Sequence, residues 1–552
     1  MKRMYVALFG GGLLLAGCMV GPDYEQPEVQ VPETYRHAGE TPSTQPATQP
    51  AAVTVSGVPV NTSWWLELRD PLLNSLVDRA IQSNLDVRIA EARVVEARAL
   101  RRVVASELFP QFNTSGGYTY RGGSRNASPQ TPQPSLAQQV GANTVSRLGG
   151  VAANALSGGP GAGGGGNIAG SAAGTLIQSL ANRYAEEIAK VKIPRDSNLF
   201  QAGFDASWEI DIFGGTRRAI EAAEASIQAN EENLHDVLTV LIAEVARNYV
   251  EARSYQKRLA IARKNIGTQE ESLELTRVRF QAGLTSELDV AQAAAQLATT
   301  SSQVPVLEVQ WIQSVHRLGV LLGQHPGALF EELENELPIP PSPPQVPVGL
   351  PSDLLRRRAD IRAAERNLAA ATANIGVAVA DLYPRFTILG SFGTQTHDMQ
   401  YFLDRNSAFW SIGPSFSWPI FTAGRIRGNI AVQEARQQQQ FIAYHSVILN
   451  ALEEVENALA AYRLQQVRYE HLENAVNANQ RAVDLANERY RKGLTDFLRV
   501  LESERSLYVT EDQLVESEAA VVANYIALQK ALGGGWEAVV QPDEVATNEA
   551  HQ

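Results

Sequence analysis

Residues Phe200–Asp211 read FQAGFDASWEID, and they alternate without a slip. Phe200, Ala202, Phe204, Ala206, Trp208 and Ile210 fall on one side, with Gln201, Gly203, Asp205, Ser207, Glu209 and Asp211 on the other. A period of two with one greasy and one acidic face is the pattern of a β-strand. In a water-soluble sheet that greasy face needs a second apolar layer. Most of the surrounding chain reads as helix, so no such layer is in sight.

Three other segments have the same character. FNTSGGYTY begins at Phe112 and FTILGSFG at Phe386. WSIGPSFSWPI sets Trp410, Ile412, Pro414, Phe416, Trp418 and Ile420 against Ser411, Gly413, Ser415 and Ser417. Alternating segments of about ten residues that carry aromatics are the pattern of outer-membrane barrel strands. Four strands leave two bare edges, and a bilayer does not tolerate unpaired backbone. One chain therefore cannot close a barrel. Two copies supply eight strands with little lumen, and three supply twelve with room for a pore. On this reading Asp205, Glu209 and Asp211 line water while the opposite face meets lipid.

The two halves of the chain look alike. LDVRIAEAR contains Asp86 and ADIRAAERN contains Asp360, a spacing of 274 that Pro110 of LFPQF and Pro384 of LYPRF repeat. Beyond the strands the spacing is 210, between Trp208 and Trp418 and between Gly283 and Gly493. The first half thus holds 64 extra residues between Pro110 and Trp208, including GGVAANALSGGPGAGGGGNIAGSAAG. That tract is too poor in large side chains to offset its chain entropy and reads as a long loop, at about 121–198.

The division expected is a signal segment over 1–17, a lead-in rich in Pro, Thr and Gln over 18–62, and a first repeat over 63–337. A proline-rich linker at 338–351, a second repeat at 352–536 and a tail at 537–552 follow. Proline is absent between Arg195 and Val304 and between Ile420 and Gln541. The helices predicted there, Thr216–Ala282 and Arg425–Lys492, are each about 100 Å long. Each turns at a glycine and returns as a shorter helix, Ser286 to Leu322 and Asp496 to Leu532. Helices about Leu72 to Leu108 and Ser352 to Leu382 lead into the strands. Leu234, Leu238, Leu241, Ile242 and Val245 form one apolar stripe, which suits antiparallel coiled-coil pairs.

Bulk composition narrows the function. Of 552 residues 44% are hydrophobic and the net charge is −13, a balance that disfavours nucleic acid as a partner. Mean hydropathy is −0.17 and no apolar run approaches the roughly 18 residues of a membrane helix. Met1-Lys2-Arg3, a short apolar stretch and Leu15-Ala16-Gly17 precede Cys18, the single cysteine, in the manner of a secretory signal. No disulfide can form within the chain. The eight histidines show no metal-binding spacing, the glycine tract lacks a phosphate-loop lysine, and no catalytic constellation is visible.

Several ordered motifs carry a resemblance. GPDYEQPEVQVPETYR after Cys18, LPSDLLRRRADIRAAERNLAAATANIGVA, SWPIFTAGRIRG and the two GLT turns resemble the TolC-like outer-membrane factors, and among them the NodT-type efflux lipoproteins. Ala359 departs from the proline usual there, and the 64-residue excess has no counterpart.

The resemblance implies a homotrimer with a twelve-stranded barrel in the outer membrane and an α-helical tunnel in the periplasm. It implies diacylation of Cys18, with Met19 resembling an outer-membrane sorting residue, and no cofactor. The partners implied are a periplasmic adaptor and an inner-membrane pump, which would deliver small solutes to a passive exit duct. Type I protein secretion and a trimeric adhesive surface lipoprotein are the alternatives. Gly283-Leu284-Thr285 and Gly493-Leu494-Thr495 resemble the adaptor-docking tips. Asp289, Leu498 and Glu502 match the family's gate positions. Arg499 stands where relatives carry an aspartate, which suggests a latch to Asp289 or Glu502.

Overall fold

The chain builds a mainly helical fold with one small antiparallel sheet, and the computed structural model describes residues 19–37, 53–56, 60–122, 196–343 and 345–540. The signal-like start, Cys18, nearly all of the glycine-rich insert and the tail beyond 540 lie outside those residues. In chain order the main elements are β1 (Val53–Ser56), α1 (Pro71–Ser83), α2 (Leu85–Ala105), β2 (Gln111–Gly122), β3 (Asp196–Ile210) and α3 (Gly215–Gln281). Next come α4 (Glu287–Ser301), α5 (Gln303–Leu321), β4 (Gln345–Gly349), α6 (Pro351–Arg357) and α7 (Ala359–Ala380). The last are β5 (Arg385–Thr396), β6 (Ala408–Ser417), α8 (Arg425–Arg491) and α9 (Phe497–Ala531).

These elements form two compact units. The first draws its described residues from within 1–23, 100–221 and 373–434, the second from within 24–99, 222–372 and 435–552. The first unit is built on the sheet, in the order β2-β3-β5-β6 with every neighbour antiparallel. Its register aligns side chains across all four strands. Asn113, Asp205, Ser391 and Ser411 form one polar row, with the hydroxyls of Ser391 and Ser411 2.7 Å apart. Thr114, Phe204, Phe392 and Trp410 form a row on the other face, and its three aromatics are at least 60% exposed. β2 and β6 are the edges, and Pro414 in β6 has no N–H to donate, which an edge strand tolerates. The predicted fourth strand stops at Ser417, so Trp418 and Ile420 lie beyond it, where Pro419 cannot continue the ladder.

The second unit is mainly helical and holds the short β1–β4 pair. α3 and α8 are each 67 residues long, matching the predicted segments to within a residue. Its core gathers Trp64, Leu76, Ile242, Leu318, Tyr462 and Tyr525, all fully buried.

The shorter helices differ from expectation. The helices predicted at 72–108 and 352–382 each break in two, at Asn84 and Arg358. Both residues are extended, with ψ of 137° and 121°. Asn84 Oδ1 accepts the backbone N–H groups of Asp86 and Val87 at 2.8 and 3.1 Å, so a polar side chain ends α1 by capping α2. The return helix predicted from 286 to 322 breaks at Ser302. Pro305 supplies no N–H to Ser301, and its ring crowds that carbonyl. Position 515, its counterpart by the 210 spacing, is valine, and α9 runs unbroken.

The solvated lead-in is also corrected. β1, inside it, pairs in parallel with β4 of the proline-rich linker, whose Val346 and Val348 are buried. Tyr24 donates to Glu365 Oε1 at 2.7 Å, and Tyr35 is buried, so aromatic side chains spaced along a polar stretch hold it down.

Candidate functional site

The two helix ends that the sequence marks as tips are built alike. The Gly283 N–H bonds to the Phe280 carbonyl at 2.9 Å and the Leu284 N–H to the Arg279 carbonyl at 2.8 Å. The Gly493 N–H bonds to the Tyr490 carbonyl and the Leu494 N–H to the Arg489 carbonyl, both at 2.9 Å. Each is a Schellman ending, which needs one residue in the left-handed region. Gly283 and Gly493 supply it, with φ of 73° and 70°. A Cβ at either position would meet nothing within 4 Å, so conformation rather than crowding demands glycine. The following leucines, Leu284 and Leu494, are 67% and 64% exposed, an apolar surface at each turn.

Behind the tips, Leu273, Ala293, Tyr490, Phe497 and Val500 form a small core of their own. Arg279 lies over the Tyr490 ring, 4.6 Å from its centroid, and donates to the Tyr490 carbonyl at 3.3 Å. The turns are thus fixed to a rigid base.

The predicted gate residues separate into two arrangements. Asp289 completes a capping box with Ser286, whose N–H it accepts at 3.1 Å, and it also accepts from the Thr285 hydroxyl. The Thr285 hydroxyl, followed by the Ser286 donors, holds the Asp289 carboxyl below the usual range. Arg499 pairs with Glu502 at 3.0 Å, three residues on along α9, and not with Asp289. The ion pair therefore lies along one exposed helix face, beside Leu498, which is 41% exposed.

A group that periodicity did not reveal sits close by. Glu504 is only 4% exposed, and Ser272 of α3 donates to its Oε1 at 2.9 Å while Oε2 is buried without a partner. Gln269 on α3 is equally buried, with both ends of its amide unpaired. Burial raises the Glu504 carboxyl above the ordinary range, and the hydroxyl of Ser272 and the amide of Asn487 offset only part of that.

An acid whose folded value is raised favours folding while protonated and becomes a penalty as pH climbs from the unfolded value through the folded one. Glu504→Gln is therefore expected to raise the melting temperature at neutral pH, with the gain shrinking as pH falls from the raised folded value and gone by the ordinary glutamate value. Thermal unfolding across pH checks this; a gain that does not vary with pH contradicts it. No periodic signal singles out Glu504, because one carboxylate in a helix of alternating charges looks like any solvated residue.

Of the acidic residues read on β3, Asp205 and Glu209 share the sheet's polar face, opposite Ser391 and Thr387. Asp211 lies one residue past the strand. Its carboxylate accepts the Arg217 backbone N–H at 3.0 Å and Arg217 Nε at 3.3 Å, so it serves the first turn of α3. A polar face, an aromatic face and two apolar helix tips are the equipment that the described residues present. Among the described residues no cluster of metal-ligating side chains occurs.

Comparison with known proteins bears on this equipment. The family model described as outer membrane efflux protein matches residues 177–324 and 350–534. Nodulation protein T of Rhizobium leguminosarum bv. viciae is 30% identical over 542 residues, 97% of this chain and 95% of that protein. The toluene efflux pump outer membrane protein TtgF of Pseudomonas putida is 29% identical over 552 residues, 99% of this chain and 100% of the relative. The solved structure of the outer-membrane channel OprN aligns with a TM-score of 0.75 at 32% identity, over 94% of this chain and 100% of that one.

Proposed function

Because the chain belongs to the outer membrane efflux protein family, we propose that it works as three identical copies closed around one pore. It is an outer-membrane exit duct for efflux, in a family of channels rather than of enzymes.

The observation that carries the three-copy reading is the sheet. Its four strands bear a continuous polar row and a largely aromatic row, and among the described residues β2 and β6 have no strand beyond them. In a bilayer those edges must be paired, and twelve strands give a lumen lined by the Asn113, Asp205, Ser391 and Ser411 row. The copies' long helices then make a tunnel, with α3 and α8 each about 100 Å long. Diacylated Cys18 anchors each copy to the outer membrane.

The two halves act as structural repeats. The Trp208 indole donates to the Leu108 carbonyl at 2.8 Å, and the Trp418 indole to the Leu382 carbonyl at 3.0 Å, which agrees with the spacings of 210 and 274.

At the glycine turns, Leu284 and Leu494 dock a periplasmic adaptor, which connects the duct to an inner-membrane pump. Asp289, Leu498, Arg499 and Glu502 stand just behind and narrow the entrance. The Arg499–Glu502 pair is worth little to stability, being exposed and within one helix, so its charges remain available to passing ions. The relative named for toluene efflux supports small organic solutes as one class of cargo. Purified protein in a planar bilayer tests the reading: a duct gives discrete ion currents, and a surface adhesin gives none.

A further inference from the structure

Two residues set into matching places have exchanged helices. Arg218, in the first turn of α3, is 2% exposed and is held by the Val20 carbonyl and by Asp23 at 3.1 and 2.6 Å. Its stem crosses Gly376 of α7. A Cβ on that glycine would lie 2.8 Å from Arg218 Cγ and 2.9 Å from Cδ, so α7 has a glycine where α3 presents an arginine. The spacing of 210 carries Arg218 to Gly428 of α8, and the spacing of 274 carries Gly376 back to Arg102 of α2. The pair recurs with its members reversed.

Within one chain the second pair is not assembled. Gly428 is exposed and a Cβ there meets nothing within 4 Å, while Arg102 is exposed on α2. Gly428 is also the single glycine of the 67-residue α8, where glycine costs about 1 kcal/mol against alanine. An exposed helix position with open space gives no reason for that cost. A neighbour that fills the space does.

The same transfer applies to the strands. The hairpin β2–β3 sets Gln111 against Ser207, and the two spacings turn this into Arg385 against Ser417, the register observed in β5–β6. Transferred in the same way, Ser207 against Leu389 of the β3–β5 pair becomes Ser417 against Ser115. Those residues lie on β6 and β2, the two open edges. In that register Ser411 meets Arg121 and Ile412 meets Tyr120, so polar faces polar and apolar faces apolar. A slip of one residue reverses every side chain.

We propose that β6 and the first turns of α8 in one copy dock on β2 and the last turns of α2 in a second copy. Ser417 then stands opposite Ser115, and the Arg102 stem crosses Gly428. The contact repeats between copies what β3 and α3 make with β5 and α7 inside each chain. It rests on the three-copy reading and adds the register and the Arg–Gly contact to it.

Cysteines test the register. Directly opposed residues of an antiparallel pair have Cα atoms about 4.5–5.5 Å apart, inside the range a disulfide spans. Ser115→Cys with Ser417→Cys, expressed in the oxidising periplasm, is expected to give two- and three-chain bands that reductant removes. Ser115→Cys with Ser415→Cys, two residues out of register, is expected to give far less.

The helix contact has its own test. Gly428→Leu is expected to abolish most of the three-chain particle in mild detergent, and Arg102→Ala added to it to restore part. A trimer that cross-links better through Ser415, or that Gly428→Leu leaves intact, overturns the proposal while the three-copy reading stands. A monomer in detergent overturns both.

Discussion

Gly393→Val is expected to eliminate the protein from the outer-membrane fraction. Gly393 faces Gly203 directly across β3 and β5. A Cβ on Gly393 would lie 2.4 Å from the Ala202 carbonyl oxygen and 2.7 Å from the Gly203 Cα, and both of those atoms are backbone. No side-chain rotation relieves that clash, so the strands must separate. Overpacking alone costs about 1–3 kcal/mol, and this site adds the hydrogen bonds of the central strand pair. In a bilayer each unpaired group is expensive, so the loss falls on insertion and not only on stability. Gly390→Ala serves as the control. It lies on the same strand, where the added atom meets Ala206 at 3.7 Å, an ordinary contact. Membrane fractionation should show the alanine variant at wild-type abundance and the valine variant absent; equal abundance refutes the strand packing described.

Trp64→Ala has the largest expected effect on the helical unit. The indole is fully buried, edge-on to Trp65 at 5.9 Å and to Tyr525 at 6.1 Å. Tyr525 in turn donates to Glu67 at 2.8 Å, so the ring sits inside a network that joins α9 to the turn preceding α1. Gly534 and Gly535 close the far side, where a Cβ would come within 3.4 Å of the indole. Removing so large a side chain leaves a cavity that these neighbours cannot fill, at a cost of about 3–5 kcal/mol. Trp64→Phe keeps part of the packing and is expected to lie between. Thermal unfolding followed by circular dichroism measures the difference, and an alanine variant that melts with the wild type contradicts this packing.

The features most legible in the sequence were those set by long-range periodicity. Alternation over Phe200–Ile210 specified a strand, because only an extended chain sends every second side chain to one face. Proline-free stretches with one interior glycine specified α3 and α8, and the glycine turns fixed their ends through a backbone angle that other residues resist. Less legible were breaks made by a single polar side chain. Asn84 ends a helix by capping the next, yet in the sequence it is one amide among many. Arg358 breaks α6 from α7 while its guanidinium holds Asp360 at 2.6 Å and Glu454 at 2.7 Å, and nothing in its spacing announces that. Pro305 was the exception, a visible signal whose consequence at Ser302 follows from the missing N–H. At the tips the residues were legible but their partners were not. Asp289 became a cap because Thr285 and Ser286 stand beside it, and Arg499 took Glu502, three residues on, while Asp496 at the same spacing behind it caps the helix.

The most direct measurement is the number of chains in each conducting particle. Full-length protein, extracted in mild detergent from outer membranes, is weighed by native mass spectrometry and the same preparation is recorded in a planar bilayer. Three chains per particle, with step-like ion currents from that preparation, are the predicted result. A particle of one chain, silent in the bilayer and stable without its neighbours, would contradict it.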